Sequence, residues 1–377
     1  MKKILMTASA LALGATAATA GGIERSSQST AILFEKGNYA EFNLGGFNPS
    51  VSGINTSTRL GVLGASSGDM AGNYTTYSFG YKQALNGKLD VAVILDQPIG
   101  ADVDYAGATD YPVGGTTGAT ASIESTAITA LLRYKLPSNF SVLGGLRAER
   151  ASGKVSLAFP INYTMTSTNE TDLGYVVGAA WEKPEIAARV ALTYNSKITH
   201  EFSYTEATTS PFSGINGPSA QQVTVPESVN LEFQTGIAKD TLLMGSVRWV
   251  HWTQFDITPP NYAPTVVPGV GPLGPLVKYT SNTTSYSLGV GRKFNEQWSG
   301  AVMLGYEKGS GEQVGNLGPT DGFRSIGFAA SYKPTENLKI TAGIRYVDIG
   351  DAVTRGILGN FTDNSGWGGG VRISMNF

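Results

Sequence analysis

Apolar and polar residues alternate with a period of two along most of this chain. In residues 338–346 the even positions carry Leu, Ile, Ala, Ile and Tyr, and the odd positions carry Lys, Thr, Gly and Arg. The same alternation recurs in residues 173–181, 186–194, 298–306 and 326–332. This pattern predicts β-strands, and the polar opposite face indicates a wall between lipid and water rather than a sandwich with a shared apolar core.

The connections between these segments are alternately short and long. Six short, turn-forming connections lie at residues 86–87, 137–139, 183–185, 238–240, 295–297 and 334–337. Seven long connections rich in polar residues, Pro or Gly lie at residues 52–71, 98–120, 160–171, 208–222, 259–276, 309–320 and 351–365. Thirteen connections join fourteen strands, so we predict an all-β, transmembrane antiparallel β-barrel of about 14 strands with both termini in the periplasm.

Both ends of the chain agree with an outer-membrane location. Lys2 and Lys3 precede an apolar run and small residues end at Ala20, so residues 1–20 are predicted to be a signal peptide. The last strand alternates up to a terminal Phe377, which resembles the signal that the barrel-assembly machinery recognises. We therefore expect three parts: the signal peptide, an N-terminal segment at 21–40, and a barrel at 41–377 in the outer membrane of a Gram-negative cell.

Charge and composition exclude several other functions. Removing Lys2 and Lys3 with the signal leaves 25 of the 27 basic residues against 29 acidic ones, a net charge of −4 instead of −2, so a nucleic-acid partner is not expected. Cysteine is absent, and the two histidines, His200 and His251, lack the spacing of a catalytic triad or a metal site. We expect neither an enzyme nor a metal or other cofactor, and His251 is interpreted as a residue of the aromatic belt.

Several segments resemble the FadL/TodX family of outer-membrane transporters. They are GIERSSQS at 22–29, ILFEKGNYAE at 32–41, DQPIG at 96–100, PES at 226–228, VRWVHWTQF at 247–255 and GPTDGF at 318–323. Their order and spacing carry the resemblance over the whole predicted mature chain. It implies a fourteen-stranded barrel that transports long-chain fatty acids, aromatic hydrocarbons or related lipophilic molecules.

The resemblance also implies a hatch and a side opening. The segment 21–40 would be a short plug inside the lumen, and its residues Ile23, Ile32, Leu33 and Phe34 would form part of an apolar pocket; the alternative is a disordered tail. Pro98 and Gly100 would kink the third strand, since proline cannot donate to a β-ladder and glycine bends one, and so would open a lateral gate. The alternative is a loop that begins at Pro98.

Further ligand-binding candidates come from the outer loops and from arginines on the polar face. The apolar candidates in the loops are Phe159, Ile161, Tyr163, Val267 and Leu273. The candidates for a carboxylate headgroup are Arg147, Arg189 and Arg248, because a guanidinium offers a planar fork of donors. The alternatives are loops that pack against one another and arginines that form internal salt bridges.

These features favour passive uptake of hydrophobic compounds by a monomer. Outer loops would capture the molecule, a plugged lumen would bind it, and it would leave sideways near the third strand. The partners would be lipophilic small molecules, outer-membrane lipids and the assembly machinery. The alternative is a general diffusion porin for polar solutes, which usually folds a loop inward instead of carrying an apolar N-terminal plug.

Overall fold

A computed structural model describes residues 23–58, 60–209, 215–268 and 270–377 of the chain. The predicted signal peptide lies outside the described residues. The strands of the main sheet are β1 Tyr39–Ser50, β2 Tyr74–Ala84, β3 Leu89–Asp96 with Gly100–Tyr105, β4 Ala119–Lys135, β5 Phe140–Leu157, β6 Tyr163–Ser167 with Glu170–Lys183, β7 Ala188–Asn195 with Ile198–Thr208, β8 Gly217–Val225 with Ser228–Ala238, β9 Thr241–Val250, β10 Thr283–Lys293, β11 Trp298–Glu307, β12 Phe323–Tyr332, β13 Leu338–Ile349 and β14 Asn364–Asn376.

The fourteen strands close into an antiparallel barrel. Each strand pairs with its neighbours in the sequence, and β1 also pairs with β14 from Tyr39↔Asn376 to Ser50↔Ser365. The prediction of about 14 strands is therefore confirmed, and β1 begins at Tyr39, two residues before the predicted start at Glu41. In the part of the chain that the structure describes, no helix is long and apolar enough to cross a membrane.

The barrel wall is apolar outside and polar inside, the reverse of a soluble protein. On β14 the outward side chains of Trp367 and Ile373 are 58% and 47% exposed, whereas the inward Arg372 is 3% exposed. On β13 and β12 the inward Thr341 and Ser331 are buried and hydrogen-bonded to each other at 2.8 Å. Lipid would cover the outer face, so the exposed apolar side chains mark the membrane-facing surface.

Outward aromatic side chains form two bands. Tyr286 pairs with Tyr306, and Tyr346 pairs with Trp367, near the ends of the strands that lead into the long loops. Trp298 pairs with Tyr332 near the short turns. Aromatic rings favour both membrane–water interfaces, so these bands delimit the apolar belt of the barrel.

In the three neighbouring strands β6, β7 and β8, the alternation of inward and outward side chains reverses near the aromatic band beside the long loops. In β7 the buried side chains are Ala191, Thr193 and Asn195 below the break and Ile198 and His200 above it. β6 and β8 contain breaks of their own, at residues 168–169 and 226–227. The strands then turn apolar side chains inward above the breaks, because the lumen there is filled by folded loops.

Backbone pairing between β6 and β7 is interrupted by these breaks. The ladder ends at Val176↔Asn195 and resumes at Ser167↔Tyr204, and one further backbone bond extends it at each end. Residues 169–174 therefore face residues 197–202 without a ladder. Inward positions of one strand lie opposite outward positions of the other in this stretch, so regular pairing cannot form.

The outer loops fold over the mouth of the barrel. They form a small three-stranded sheet from Gly53–Asn55, Gly359–Phe361 and Ala352–Val353, together with two short hairpins between β9 and β10. Apolar side chains of these loops join the inward apolar residues of the strand tops in one large buried cluster. The upper lumen is thus roofed and apolar, whereas the lower lumen is polar.

Candidate functional site

The N-terminal segment, residues 23–38, runs inside the barrel and attaches first to β3. Glu24 forms an antiparallel bridge with Ile99, the Arg25 amide donates to the Pro98 carbonyl at 2.8 Å, and the Gly100 amide donates to the Ile23 carbonyl at 2.8 Å. The segment therefore adds a short piece of strand where β3 itself is interrupted.

Polar side chains also hold the segment to β3 and to the strands β8 and β9. Ser26 Oγ donates to Asp96 Oδ2 at 2.6 Å, and Ser29 Oγ donates to Glu232 Oε1 at 2.7 Å. Arg248 of β9 donates from Nε to Glu24 Oε1 at 2.8 Å, and both side chains are buried. These bonds give hydrogen-bond partners to lumen-facing charged groups that would otherwise be desolvated without one.

Apolar residues anchor the lower end of the segment. A 3-10 helix at Ala31–Phe34 places Ile32 and Leu33, 6% and 0% exposed, in a cluster with side chains of β3 to β6. Phe34 lies between two guanidinium groups, with Arg133 at 4.3 Å and Arg189 at 4.7 Å from the centre of its ring. Cation–π contacts of this kind contribute about 0.5–2 kcal/mol each.

The interruption of β3 leaves a gap in the backbone pairing of the wall. The β2–β3 ladder runs from Ala84↔Asp90 only to Phe79↔Leu95, and the upper piece of β3 pairs with β4. Across the gap, the Tyr77 amide donates to the Gln97 side chain at 3.0 Å. Above it, a bridge between Ala71 and Val103 joins the wall again.

Two cavities meet at this gap. The upper cavity, about 540 Å³, lies beneath the outer loops; its surface is mainly apolar, and charged, Ser and Thr residues also line it. The lower cavity, about 240 Å³, lies beside the N-terminal segment and is lined largely by Ser, Asn, Gly and charged residues. Glu24 and Arg25 line both cavities, so the segment lies between the two chambers.

The apolar wall of the upper cavity combines residues from the segment, the strand tops and the loops. They include Ile23, Phe47, Val51, Met70, Tyr74, Val103, Ile123, Leu276, Tyr279, Leu317 and Ile349. Burial raises the pKa of the Tyr279 phenol above its usual value, so this group stays neutral at any physiological pH. A cavity of this size and polarity fits a lipophilic small molecule.

The structure distributes the predicted apolar site residues unevenly. Ile23 lines the upper cavity and Ile32 the lower, while Leu33 and Phe34 are packed away from both. Ile161, Tyr163 and Val267 are buried in the apolar cluster of the upper lumen, and Phe159 and Leu273 pack against it. None of these five residues lines either of the two cavities within the described ranges.

The predicted headgroup arginines are held by the protein itself. Arg248 is paired with Glu24, Arg147 Nε donates to Thr129 Oγ1 at 2.9 Å, and Arg189 lies over Phe34. Among these three, Arg248 reaches a cavity, the lower one. Gly100 lines the upper cavity, and the Pro98 carbonyl accepts from the segment.

Sequence reasoning missed the charged groups at the edge of the upper cavity, among them Arg25 and Arg355. Arg25 belongs to a segment without alternation, and Arg355 lies in a long loop, so neither position could be assigned a direction from the sequence. Arg355 donates to the carbonyls of Gln313 at 2.8 Å and Lys278 at 3.2 Å. The tertiary fold alone brings these residues to one chamber.

Neither histidine lines either of the two cavities, and each lies beside a carboxylate. His200 Nδ1 lies 2.9 Å from Asp172 Oδ2, and His251 Nδ1 lies 2.9 Å from Glu227 Oε1. His251 also lies against Trp249, with ring centres 5.3 Å apart. In the residues that the structure describes, no group of His, Asp and Glu side chains is arranged to hold a metal ion.

Solved structures with a similar fold include transport proteins of low sequence identity. A Pseudomonas aeruginosa FadL homologue is 16% identical over 92% of both chains, with a TM-score of 0.69. The Pseudomonas putida toluene transporter TodX is 12% identical over 96% of this chain and 98% of its own, with a TM-score of 0.67. The Ralstonia pickettii toluene transporter TbuX is 12% identical over 93% and 94%, with a TM-score of 0.59. At these identities the likeness shows the fold.

Family membership follows from the sequence. No curated protein sequence matches the chain at a significant level. The family model described as "Outer membrane protein transport protein (OMPP1/FadL/TodX)" matches residues 6–356, nearly the whole chain. The chain therefore belongs to the OMPP1/FadL/TodX family of outer membrane transport proteins, a family of transporters and not of enzymes.

Proposed function

We propose that this protein takes up lipophilic small molecules, such as long-chain fatty acids or related compounds, across the outer membrane without an energy source. The observation that carries the proposal is the meeting of an apolar cavity of about 540 Å³ with the gap between β2 and β3. The solved relatives include two transporters named for toluene, which supports a hydrophobic cargo.

The route that we propose begins at the loops and ends in the membrane. The molecule enters the apolar upper chamber, the N-terminal segment acts as the hatch that keeps it from crossing, and it leaves sideways past Pro98 and Gly100 into the outer leaflet. An alkyl chain gains about 0.8 kcal/mol per buried CH₂, so lateral release into lipid is downhill where release into the aqueous periplasm is not.

The membrane orientation and the partners are part of the same proposal. The first strand begins and the last strand ends on the side of the short turns, since Tyr39 is paired with Lys82 and with Asn376, and we assign that side to the periplasm. The barrel closes on itself within one chain, so a monomer is sufficient for transport. Phe377 points outward beside Tyr81, where the assembly machinery would recognise it.

Bilayer recordings and ligand binding test the proposal against the porin alternative. Because the segment occupies the lumen, the purified protein is expected to give little steady ion conductance and to bind oleate or the tail of a detergent. Large, open, ohmic pores without binding of oleate would support a general diffusion porin instead.

Cross-linking tests lateral exit. The chain has no native cysteine, so cysteines can be placed at Thr76 and Pro98, on either side of the gap, and joined by a short bismaleimide. The cross-linked protein is expected to bind oleate but to lose uptake into cells that lack other transporters. The control joins cysteines at Ser331 and Thr341, which face each other across the intact β12–β13 ladder. Unchanged uptake through the bridged gap would place the exit elsewhere.

A further inference from the structure

Arg25 occupies the junction of the two cavities and the gap in the wall. Its Nη2 lies 2.5 Å from Asp102 Oδ2 on the upper piece of β3, and its guanidinium lies 4.1 Å from the centre of the Tyr74 ring. A Cβ atom on Gly100 would lie 2.5 Å from the Arg25 guanidinium carbon, so glycine is the residue that lets the arginine pack against β3. The side chain thus fastens the hatch to the strand on which the proposed exit depends.

This ion pair is incompletely satisfied. The Arg25 side chain is 10% exposed and its Nε is buried without a hydrogen-bond acceptor among the described residues, whereas Asp102 is 40% exposed. A buried donor without an acceptor costs about 1–3 kcal/mol. An exposed carboxylate that loses its partner is rehydrated at little cost. The pair is therefore easy to exchange for a better acceptor.

We propose that Arg25 is the residue that recognises an acidic headgroup, and that the ligand's acid takes the place of Asp102 on its guanidinium. The apolar wall of the upper cavity would hold the tail, and the carboxylate would reach the arginine at the floor. A carboxylate that is free to orient accepts two parallel hydrogen bonds from guanidinium, where Asp102 accepts one. The ligand class is an amphiphilic acid rather than a neutral hydrocarbon.

Exchange of the partner also links binding to release. The backbone amides of Arg25 and Ser26 both donate to the Pro98 carbonyl, and Gly100 donates back to Ile23. A guanidinium drawn away from Asp102 pulls on this short ladder, which lies at the gap between β2 and β3. The acid would thus loosen the contact that keeps the side opening closed.

The inference rests on the proposed function and is tested by comparing an acid with a neutral molecule of the same tail. Palmitate and 1-hexadecanol are titrated against the full-length protein in detergent. Arg25→Met keeps an apolar side chain and removes the guanidinium. We expect its affinity for palmitate to fall about tenfold or more, because one hydrogen bond to a charged group is lost. Its affinity for hexadecanol is expected to stay within about twofold of the wild-type value. For Asp102→Asn, which weakens the competitor, we expect palmitate to bind several-fold more tightly.

Arg355→Met is the matched control. It removes another guanidinium from the same cavity, one that is bonded to backbone carbonyls, so both affinities are expected to change equally. An equal loss of both ligands in Arg25→Met, or a selective loss of palmitate in Arg355→Met, would overturn the assignment. Should Arg25→Met fail to fold, Asp102→Asn alone decides, since unchanged palmitate binding contradicts the exchange. Wild-type protein that binds neither molecule would refute the proposed function itself.

Discussion

His200 and Asp172 join β6 to β7 where these strands have no backbone ladder. The imidazole Nδ1 lies 2.9 Å from Asp172 Oδ2, and the other ring nitrogen faces Glu149 Oε1 at 3.8 Å. Ile198 packs beside this pair, in the space left by the missing side chain of Gly174. A side-chain bond and a packed isoleucine therefore close the wall in place of backbone hydrogen bonds.

This pair predicts a local effect on barrel stability. His200→Ala removes the bond across the unpaired stretch and also takes the imidazole away from the buried Glu149 carboxyl, so it is expected to lower the free energy of unfolding by about 3–5 kcal/mol. Urea unfolding in detergent, followed by the gel mobility of the folded barrel, measures the loss. His251→Ala removes a similar pair where a backbone bond from His251 to Glu227 remains, and should cost less. Equal losses would contradict the role assigned to His200.

The position of Gly80 beside Ile32 predicts how tightly the N-terminal segment is held. A Cβ atom at this position would lie 2.5 Å from Ile32 Cδ1, so Gly80→Leu is expected to displace Ile32 and to loosen the segment without unfolding β2. The expected result is a several-fold rise in ion conductance in planar bilayers. Gly87→Leu, in an exposed turn with open space around it, is the control and should leave conductance unchanged. Equal conductance in both variants would mean that Ile32 does not hold the segment.

The buried pair of Arg248 and Glu24 predicts a coupled loss. Arg248→Met leaves a buried carboxylate without its main counter-charge, which typically costs about 3–5 kcal/mol when the group cannot move. Because Glu24 belongs to the N-terminal segment, release of the segment from the wall relieves part of this cost. Ligand affinity should therefore fall together with stability. The double variant Glu24→Gln, Arg248→Met is expected to recover part of both. A double variant as impaired as the sum of the single ones would show that the two side chains act independently.

Removal of the segment gives the broadest prediction. A chain that lacks residues 22–34 keeps all fourteen strands and is expected to assemble, to conduct ions steadily and to lose tight retention of oleate. Conductance in bilayers and retention of labelled oleate after gel filtration measure the two effects. A deletion variant that conducts as little as the full chain would argue that the loops, and not the segment, close the lumen.

The sequence alone determined the architecture of the wall. Fourteen strands were predicted from the alternation between Leu338 and Tyr346, the six short turns and the terminal strand ending in Phe377. This works because each strand of a lipid-facing barrel has one apolar and one polar face. Sequence resemblance likewise identified the family. Both signals are local or ordered along the chain, so they need no knowledge of which residues meet in space.

The site was decided by the tertiary structure. Arg147, Arg189 and Arg248 had the chemistry of a headgroup site, but the fold engages them with Thr129, Phe34 and Glu24. Arg25 gains its place at the cavity floor because β3 breaks at residues 97–99 and the segment pairs there, more than 70 residues away in the chain. The alternation of apolar and polar residues predicts which face of the wall a strand residue occupies. Contacts among the N-terminal segment, the broken strand β3 and the folded loops depend on which distant groups pair in the lumen, and the alternation carries no information about that pairing.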